Sequence, residues 1–571
     1  MSQLKLSGDA SGTGIVTIAA PNTNSTYTVT LPAAAGTIIT TASSATPTTL
    51  GPVYGSMSTG TLTAIGYQAL NANTSGTYND AFGVNALLSN TSGFFNSAFG
   101  VDALRTNTSG ARNVALGNST LRTNSTGTDN TAVGSQAMYY NTTGANNSAF
   151  GVNALVNNTT ANNSTAVGYN ALAGSNTLGS NTAVGVSALL ATTSGTQNVA
   201  VGGAALAANT TGSYNIAMGL FSGYSNTTGS NNVAIGQEAL YANTTADGNT
   251  AIGYTALRLN TTGYDNVAVG SSALYANTTG RQNTGIGRLA LRFNTTGEFN
   301  TATGHGALYT NTAGSNNTAM GYQALLSNTS SYNTAVGYQA LDANTSGSQN
   351  TAVGQDALGS ITTNGNSAAV GYGALRDSTG GDNTALGSYA GLYSPSGGAA
   401  TTSGIGNVFI GSKTVAAAAT DGGNIVIGAD VVGKGNSTGF IKPGGGGGVY
   451  QGNNSSSWST TSDQRLKKNI VDNTEGLDKI SQIRVRNFEY RLPEEVDPSL
   501  QPQDAIDKQG IQLGVIAQEI QQVCPDCVKE ESTGVLSVDS DNVFWHMVNA
   551  IKELNTRLQA AEAEIATLKG N

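Results

Sequence analysis

The chain has 571 residues, of which only 10% are charged and 75 are glycine, against about 25% charged in ordinary globular domains. A formal net charge of −9, an isoelectric point near 4.8 and a mean hydropathy of −0.14 argue against a basic nucleic-acid footprint and against a highly charged disordered chain. No run of about 18 apolar residues is present to insert into a membrane, MSQLKLSGDASG lacks a signal-peptide core, and two cysteines and two histidines leave little for disulfide frameworks or metal sites.

Residues 1–55 contain I-V-T-I-A-A-P and Y-T-V-T-L-P, which read as short strands with Pro and Gly turns. The stretch resembles the N-terminal segments of phage tail-fibre proteins, a resemblance that implies a virion-attachment segment.

From 56 to 387 the sequence repeats N-T-A-V-G-x-x-A-L-x-x-N-T-T-G-x-x. Gly66, Gly83 and Gly100 begin a run of evenly spaced glycines that reaches Gly321 and continues at Gly337, Gly354, Gly371 and Gly387 with two slightly shorter steps. Such regularity predicts a solenoid built of 17-residue coils. Each unit has two apolar bursts, as in Ala132-Val133-Gly134 and Ala154-Leu155, too short for helices. Asn-Thr-Thr-Gly between them reads as a turn, since Asn tolerates and Gly supplies left-handed backbone. The expected coil has two short strands, two turns and a core of one Val or Ile and one Leu, with Val133 inward and Gln136 outward. Recurring Asn and Thr are expected to form ladders between coils. A core this thin favours several chains side by side. The block resembles the head of trimeric autotransporter adhesins, a parallel β-roll built on N-x-A-I-G repeats, and the repeat shafts of bacteriophage tail fibres. Taken with the C-terminal region below, the expected fold class is mostly β, a trimeric parallel β-solenoid or β-roll followed by a small α+β domain ending in a coiled-coil helix.

Residues 388–461 hold degenerate coils (NVFIG, NIVIG) and a connector in which Pro443 precedes five glycines and a Ser/Asn-rich run. The charge density then changes. Residues 462–571 carry 12 Lys+Arg and 19 Asp+Glu, 31 of the chain's 57 charges. This region contains T-S-D-Q-R-L-K-K-N-I (Thr461 to Ile470), I-R-V-R-N-F-E-Y-R (Ile483 to Arg491), G-V-I-A-Q-E-I (Gly514 to Ile520) and V-N-A-I-K-E-L-N (Val548 to Asn555). These four blocks in order resemble the intramolecular chaperone, auto-processing domain that ends endosialidase-type tailspikes and many tail fibres. The resemblance implies a homotrimeric folding aid, often cut off just before the Ser of the first block. It also implies a Ser-Lys dyad, which falls on Ser462 and Lys467 with the scissile bond at Thr461–Ser462. The chemistry is coherent in itself: a desolvated, neutral Lys amine can take the proton of a Ser hydroxyl, and a nucleophile beside its own target has a high effective molarity.

Phe544, Met547, Ile551, Leu554, Leu558, Ala561, Ile565 and Leu568 alternate steps of three and four, a heptad seam that permits a trimer. Cys524-Pro-Asp-Cys527 is a lone C-x-x-C with no histidine near it in sequence, so no metal or redox role is read from it, and neither His305 nor His546 is read as catalytic. Asp265, Glu298 and Asp356 are scattered over coils, and only a close carboxylate pair would make a glycosidase. The expectation is a homotrimeric phage tail fibre in the virion, made in the host cytoplasm, that needs no cofactor. Its expected partners are the tail or baseplate and a host-surface glycan receptor, with no nucleic acid. Its expected catalysis is self-cleavage alone. The alternatives are a bacterial trimeric surface adhesin and a glycan-depolymerising tailspike.

Overall fold

A computed structural model describes residues 15–19, 26–30, 62–393, 397–443, 448–451, 459–460, 464–497, 506, 508–531 and 534–570. The chain divides into two compact units, Met1–Thr460 and Thr461–Asn571. In the first, β1 (Ile15–Ala19) and β2 (Thr26–Thr30) pair antiparallel, with Thr17 opposite Thr28. They coincide with the two strands expected from the sequence.

A parallel ladder runs from β3 (Thr63–Ile65) to β24 (Ile425–Gly428), one strand per coil, each strand bonded to its sequence neighbours. The register is constant: Thr131 sits on Ser148, Ala132 on Ala149, Val133 on Phe150. Twenty-one steps at the strand spacing extend the solenoid by about 100 Å. Beyond it, β25 (Gly439–Lys442) still pairs parallel to β24, whereas β26 (Val449–Gln451) and β27 (Ser459–Thr460) pair antiparallel.

Two details of the expected coil are corrected. Each coil has one short strand, not two. Where the sequence reads Ala-Leu, the backbone makes consecutive turns: Ala137 N–H bonds Gly134 O at 3.2 Å and Tyr139 N–H bonds Gln136 O at 3.2 Å. Gln136 and Met138 both have positive φ, 60° and 52°, the left-handed third residue of a type II turn. Leu occupies the second of these positions in nearly every coil, as at Leu121 (φ 51°). The left-handed backbone costs about 1–2 kcal/mol. It is offset by full burial of Leu121, about 1.5–3 kcal/mol, and by the Leu121 N–H bond to Ala137 O at 3.0 Å in the next coil.

The second correction concerns the inward face. Ala132, Ala137 and Met138 are fully buried, while Val133 is only half-buried. So tight a coil leaves room inside for methyl groups, one Leu or Met and two asparagine amides, and the bulkier strand residue points out. Thr-Ala-Val therefore packs its middle residue, the opposite phase to that expected. The rule also explains an exception. Phe409 takes the alanine position of its strand and is fully buried. The turn below it has Gly391, where a Cβ would come within 3.0 Å of the Phe409 ring and 2.6 Å of Leu375.

The expected polar ladders are present. Asn113 and Asn130 are both fully buried. Asn130 donates its backbone N–H and its amide to Asn113 Oδ1, each at 3.1 Å, and its amide also to Gly144 O at 2.8 Å. A second column runs through Asn124 and Asn141, with Asn141 Nδ2 2.7 Å from Asn124 Oδ1 and 3.0 Å from Gly144 O. Outside these, Thr142 Oγ1 donates to Thr159 O at 3.0 Å. A half-polar lumen is tolerable because most of these amides have partners above and below, Asn176 being an exception in which both amide atoms lack one.

The second unit has α1 (Leu477–Ile480), β28 (Arg486–Phe488) paired antiparallel with β29 (Gln512–Gly514), α2 (Ala517–Val523), β30 (Val528–Glu530) paired antiparallel with β31 (Leu536–Val538), and α3 (Ser540–Lys569). Its buried core is Ile520, Cys524 and Cys527, flanked by half-buried Ile483, Val515, Val523, Val528, Val538 and Val543.

Candidate functional site

Thr461 and Ser462, the cleavage site and nucleophile expected from the sequence, lie outside the described residues. Lys467, the expected base, follows a 3₁₀ turn at Gln464–Leu466; its N–H bonds Gln464 O at 3.0 Å and the residue is exposed in the single chain. Leu466, Ile470 and Val471 beside it are exposed too, at 76, 61 and 85%. Apolar residues this bare in the first block of the unit mark a surface that a single chain does not cover.

The next segment is clasped by α3. Asn549 Nδ2 donates to Asn473 O at 2.8 Å and Glu475 O at 3.2 Å, and Leu477 N–H donates to Glu553 Oε2 at 3.2 Å. Gly476 lies so close that a Cβ there would be 2.3 Å from Ala550 N, so this crossing requires glycine. At the other side of the unit, Arg486 forks onto Glu519 at 2.7 and 3.2 Å, joining β28 to α2. Each partner favours the other's charged form: Glu519 is lowered by Arg486, and Arg486 is raised by Glu519.

Asp539 caps α3, accepting from Asp541 N–H at 3.1 Å and Asn542 N–H at 3.4 Å. Lys529 pairs with it and, ahead of those N–H groups, lowers its pKa. From there α3 buries only His546 and Ala550 against its own unit. Phe544, Met547, Ile551, Leu554, Leu558, Ile565 and Leu568 of the heptad seam are exposed.

One grouping is invisible in sequence spacing. Cys524 and Cys527 are joined as a disulfide, with Cα atoms 5.3 Å apart. His546, on α3, folds back onto this turn: its Nε2 is 2.8 Å from Asp526 Oδ2 and its Nδ1 is 2.9 Å from Glu475 O. A histidine is therefore near the C-x-x-C after all. The Glu475 carbonyl, then the Asp526 carboxylate, raise the imidazole above its ordinary pKa, and His546 followed by Lys479 lowers Asp526.

Among the acidic residues of the coils, burial and, behind it, the neighbouring charge of Asp356 raise the pKa of Asp342. Glu298 pairs with Arg281 at 3.1 Å, whereas Asp265 and Asp356 occupy left-handed turn positions, φ 56° and 54°. His305 stacks on Tyr322, ring centroids 5.3 Å apart.

Compared with known families, residues 462–529 fit the one described as chaperone of endosialidase. The match takes in the first three sequence blocks of the unit from Ser462 onward; the fourth, Val548 to Asn555, lies beyond it on α3.

Proposed function

We propose that the chain is a subunit of a homotrimeric bacteriophage tail fibre that mediates attachment to the host surface. In this reading residues 1–55 join the tail or baseplate, the solenoid projects toward a glycan receptor, and residues 462–571 drive trimerisation. The observation that carries it is the third residue of each solenoid strand. From Ile65 to Ile427 it is apolar in every strand but one, where Thr303 stands. In the single chain Ile65, Leu116, Met320 and Leu386 of this column are 47 to 52% exposed. An apolar stripe of about 100 Å far exceeds what a monomer leaves in water. Copies of the same chain share its pitch, so their stripes meet coil for coil. The exposed seam of α3 and the similarity of residues 462–529 to chaperone of endosialidase support the same assembly.

Self-processing belongs to this reading. Ser462 Oγ attacks the Thr461 carbonyl as Lys467 takes its proton, the Ser462 nitrogen leaves with a proton to give a Thr461–Ser462 ester, and water hydrolyses that ester, so that the C-terminal fragment departs with Ser462 as its new N-terminus. Lys467 acts as a base only where neighbouring chains cover it, so cleavage follows assembly. Intact-mass analysis of the full-length product tests this. The expected result is a fragment with the mass of Ser462 to Asn571, absent in Ser462→Ala and in Lys467→Ala. A fragment with another N-terminus, or cleavage in unassembled chain, would overturn the dyad. A monodisperse full-length monomer in light scattering would overturn the fibre.

A further inference from the structure

Cys524, Asp526, Cys527 and His546 bring one ligand atom each to within 4.8 Å of one another. Both cysteines are fully buried and His546 is 4% exposed. We propose that, with the two cysteines reduced, this cluster binds a zinc ion.

The donor set suits that ion. Zinc takes thiolate sulfur at about 2.3 Å and imidazole nitrogen at about 2.0–2.1 Å in tetrahedral sites. Such a site requires its donors roughly 3.3–3.8 Å apart; the sulfurs part to that range once the disulfide is reduced, and the other donor atoms already lie within 4.8 Å. The cysteines lie on a tight turn, with Cys527 N–H bonded to Cys524 O at 2.9 Å, and that turn holds both sulfurs on one side.

His546 is already oriented as a ligand. Its Nδ1 faces Glu475 O at 2.9 Å. That contact fixes the ring as it is fixed in metal-bound histidines, and Nε2, which now donates to Asp526 Oδ2 at 2.8 Å, must release its proton to become a ligand. Asp526 completes the set, with Oδ2 2.8 Å from His546 Nε2 and Oδ1 3.3 Å from Cys524 Sγ. Two thiolates and one carboxylate outweigh Zn²⁺ by one negative charge, and Lys479 Nζ, shared with Glu475, sits 3.1 Å from Asp526 Oδ1 beside that excess.

The disulfide must open first. Two equivalents of a low-molecular-weight thiol reduce it, becoming a disulfide themselves and leaving two protein thiols. Zn²⁺ then displaces the two thiol protons and the Nε2 proton of His546 into solvent and forms two Zn–S bonds and one Zn–N bond. The ion would tie three elements together: the turn after α2, α3 through His546, and, through Glu475 and Lys479, the start of α1. A unit whose buried apolar cluster, among the described residues, is Ile520 with these two cysteines has much to gain from such a staple.

The test uses the full chain, purified with a phosphine reductant and again after oxidation. Reduced protein should hold stoichiometric zinc by elemental analysis and, with Co²⁺ in its place, show thiolate-to-cobalt charge-transfer and tetrahedral d–d bands. Oxidised protein should show neither. Asp526→Asn, at an exposed position, should weaken binding by about tenfold or more, and Cys527→Ser should abolish the charge-transfer band. Reduced wild type whose two thiols titrate freely but which takes up neither ion would overturn the site. If the reduced unit unfolds without metal, recovery of its helix signal on adding zinc supports the proposal, and failure to recover overturns it.

Discussion

The side chain and backbone N–H of Asn113 make five hydrogen bonds. It accepts from the backbone N–H and amide of Asn130, each at 3.1 Å, donates its own N–H and amide to Asn96 Oδ1 at 3.0 and 3.1 Å, and donates to Gly127 O at 2.9 Å. Leucine has similar volume and none of these side-chain groups. Asn113→Leu should therefore leave buried partners unpaired in the coils on either side, each costing about 1–3 kcal/mol. Hydrogen exchange should quicken at Asn96, Asn130 and their neighbours while distant coils stay protected; unchanged protection would show the ladder to be dispensable. Gln136 tests backbone strain instead. Its side chain is exposed, so the residue looks replaceable, yet its φ is 60°. Gln136→Gly should be neutral or stabilising. Gln136 already bears the left-handed expense of about 1–2 kcal/mol, which glycine relieves, so Gln136→Val should be destabilising by the added crowding at its branched carbon alone. Thr255 is the β-branched residue in this column, and its hydroxyl is held by Ser272 Oγ at 3.0 Å, a partner valine would lack. Equal melting of the two variants would refute the strain argument.

At the level of elements, α3 depends on its cap. Asp539→Ala should lower the stability of the helix by about 1 kcal/mol, read from the midpoint at which the helical circular-dichroism signal is lost. The carboxylate's pKa is lowered in the fold, first by Lys529 and then by the Asn542 N–H. Its contribution is thus complete above the unfolded value of about 3.9 and fades as pH falls through the lower folded value. Asp539→Asn keeps a good cap but should lose that acid-sensitive step; an unchanged pH profile in Asp539→Asn would exclude the carboxylate as its source. The heptad seam and the regular coil period were legible in the sequence, because each is written in local spacing. The phase of Thr-Ala-Val was not. Hydrophobicity points to Val133 as core, and only the width of the closed coil shows that Ala132 must take that place. Ala-Leu was read as a strand because apolar pairs carry no sign of φ. The proposed pairing of Ser462 with Lys467 rests on its motif alone, whereas the Cys524–His546 grouping stayed hidden because a later helix, α3, folds back to make it.

For the whole molecule, the corrected phase changes what a charge on each face should do. Ala132→Asp places an unpaired carboxylate in a lumen of methyl groups and self-paired amides, at a cost of several kcal/mol, and should unravel its coil in any state of association. Val133→Asp leaves that lumen intact. Its carboxylate lands on the outward stripe, harmless in a lone chain but repeated on every copy where proposed neighbours meet, so like charges converge as the stripe is desolvated. The expected outcome is a folded chain with weakened assembly: the mass from light scattering should fall below three times the 57.5 kDa of one chain, while circular dichroism of the solenoid is retained. Loss of solenoid structure in Val133→Asp, or an undisturbed trimer, would each contradict the outward assignment as an interface. The same stripe creates a folding hazard. Because coils are nearly identical, sliding one chain by a whole coil, about 4.8 Å along the axis, preserves most contacts between chains, and many registers are nearly degenerate. An end that trimerises first removes that degeneracy. Ending the gene before Ser462 should therefore yield insoluble, staggered or monomeric solenoid, whereas supplying residues 462–571 only as a separate chain should not rescue it, since register is transmitted through covalent continuity. A soluble, in-register trimer from the shortened gene would mean that the coils align themselves, through the few irregular ones such as that carrying Gly391 and Phe409, and that the C-terminal unit serves some other end.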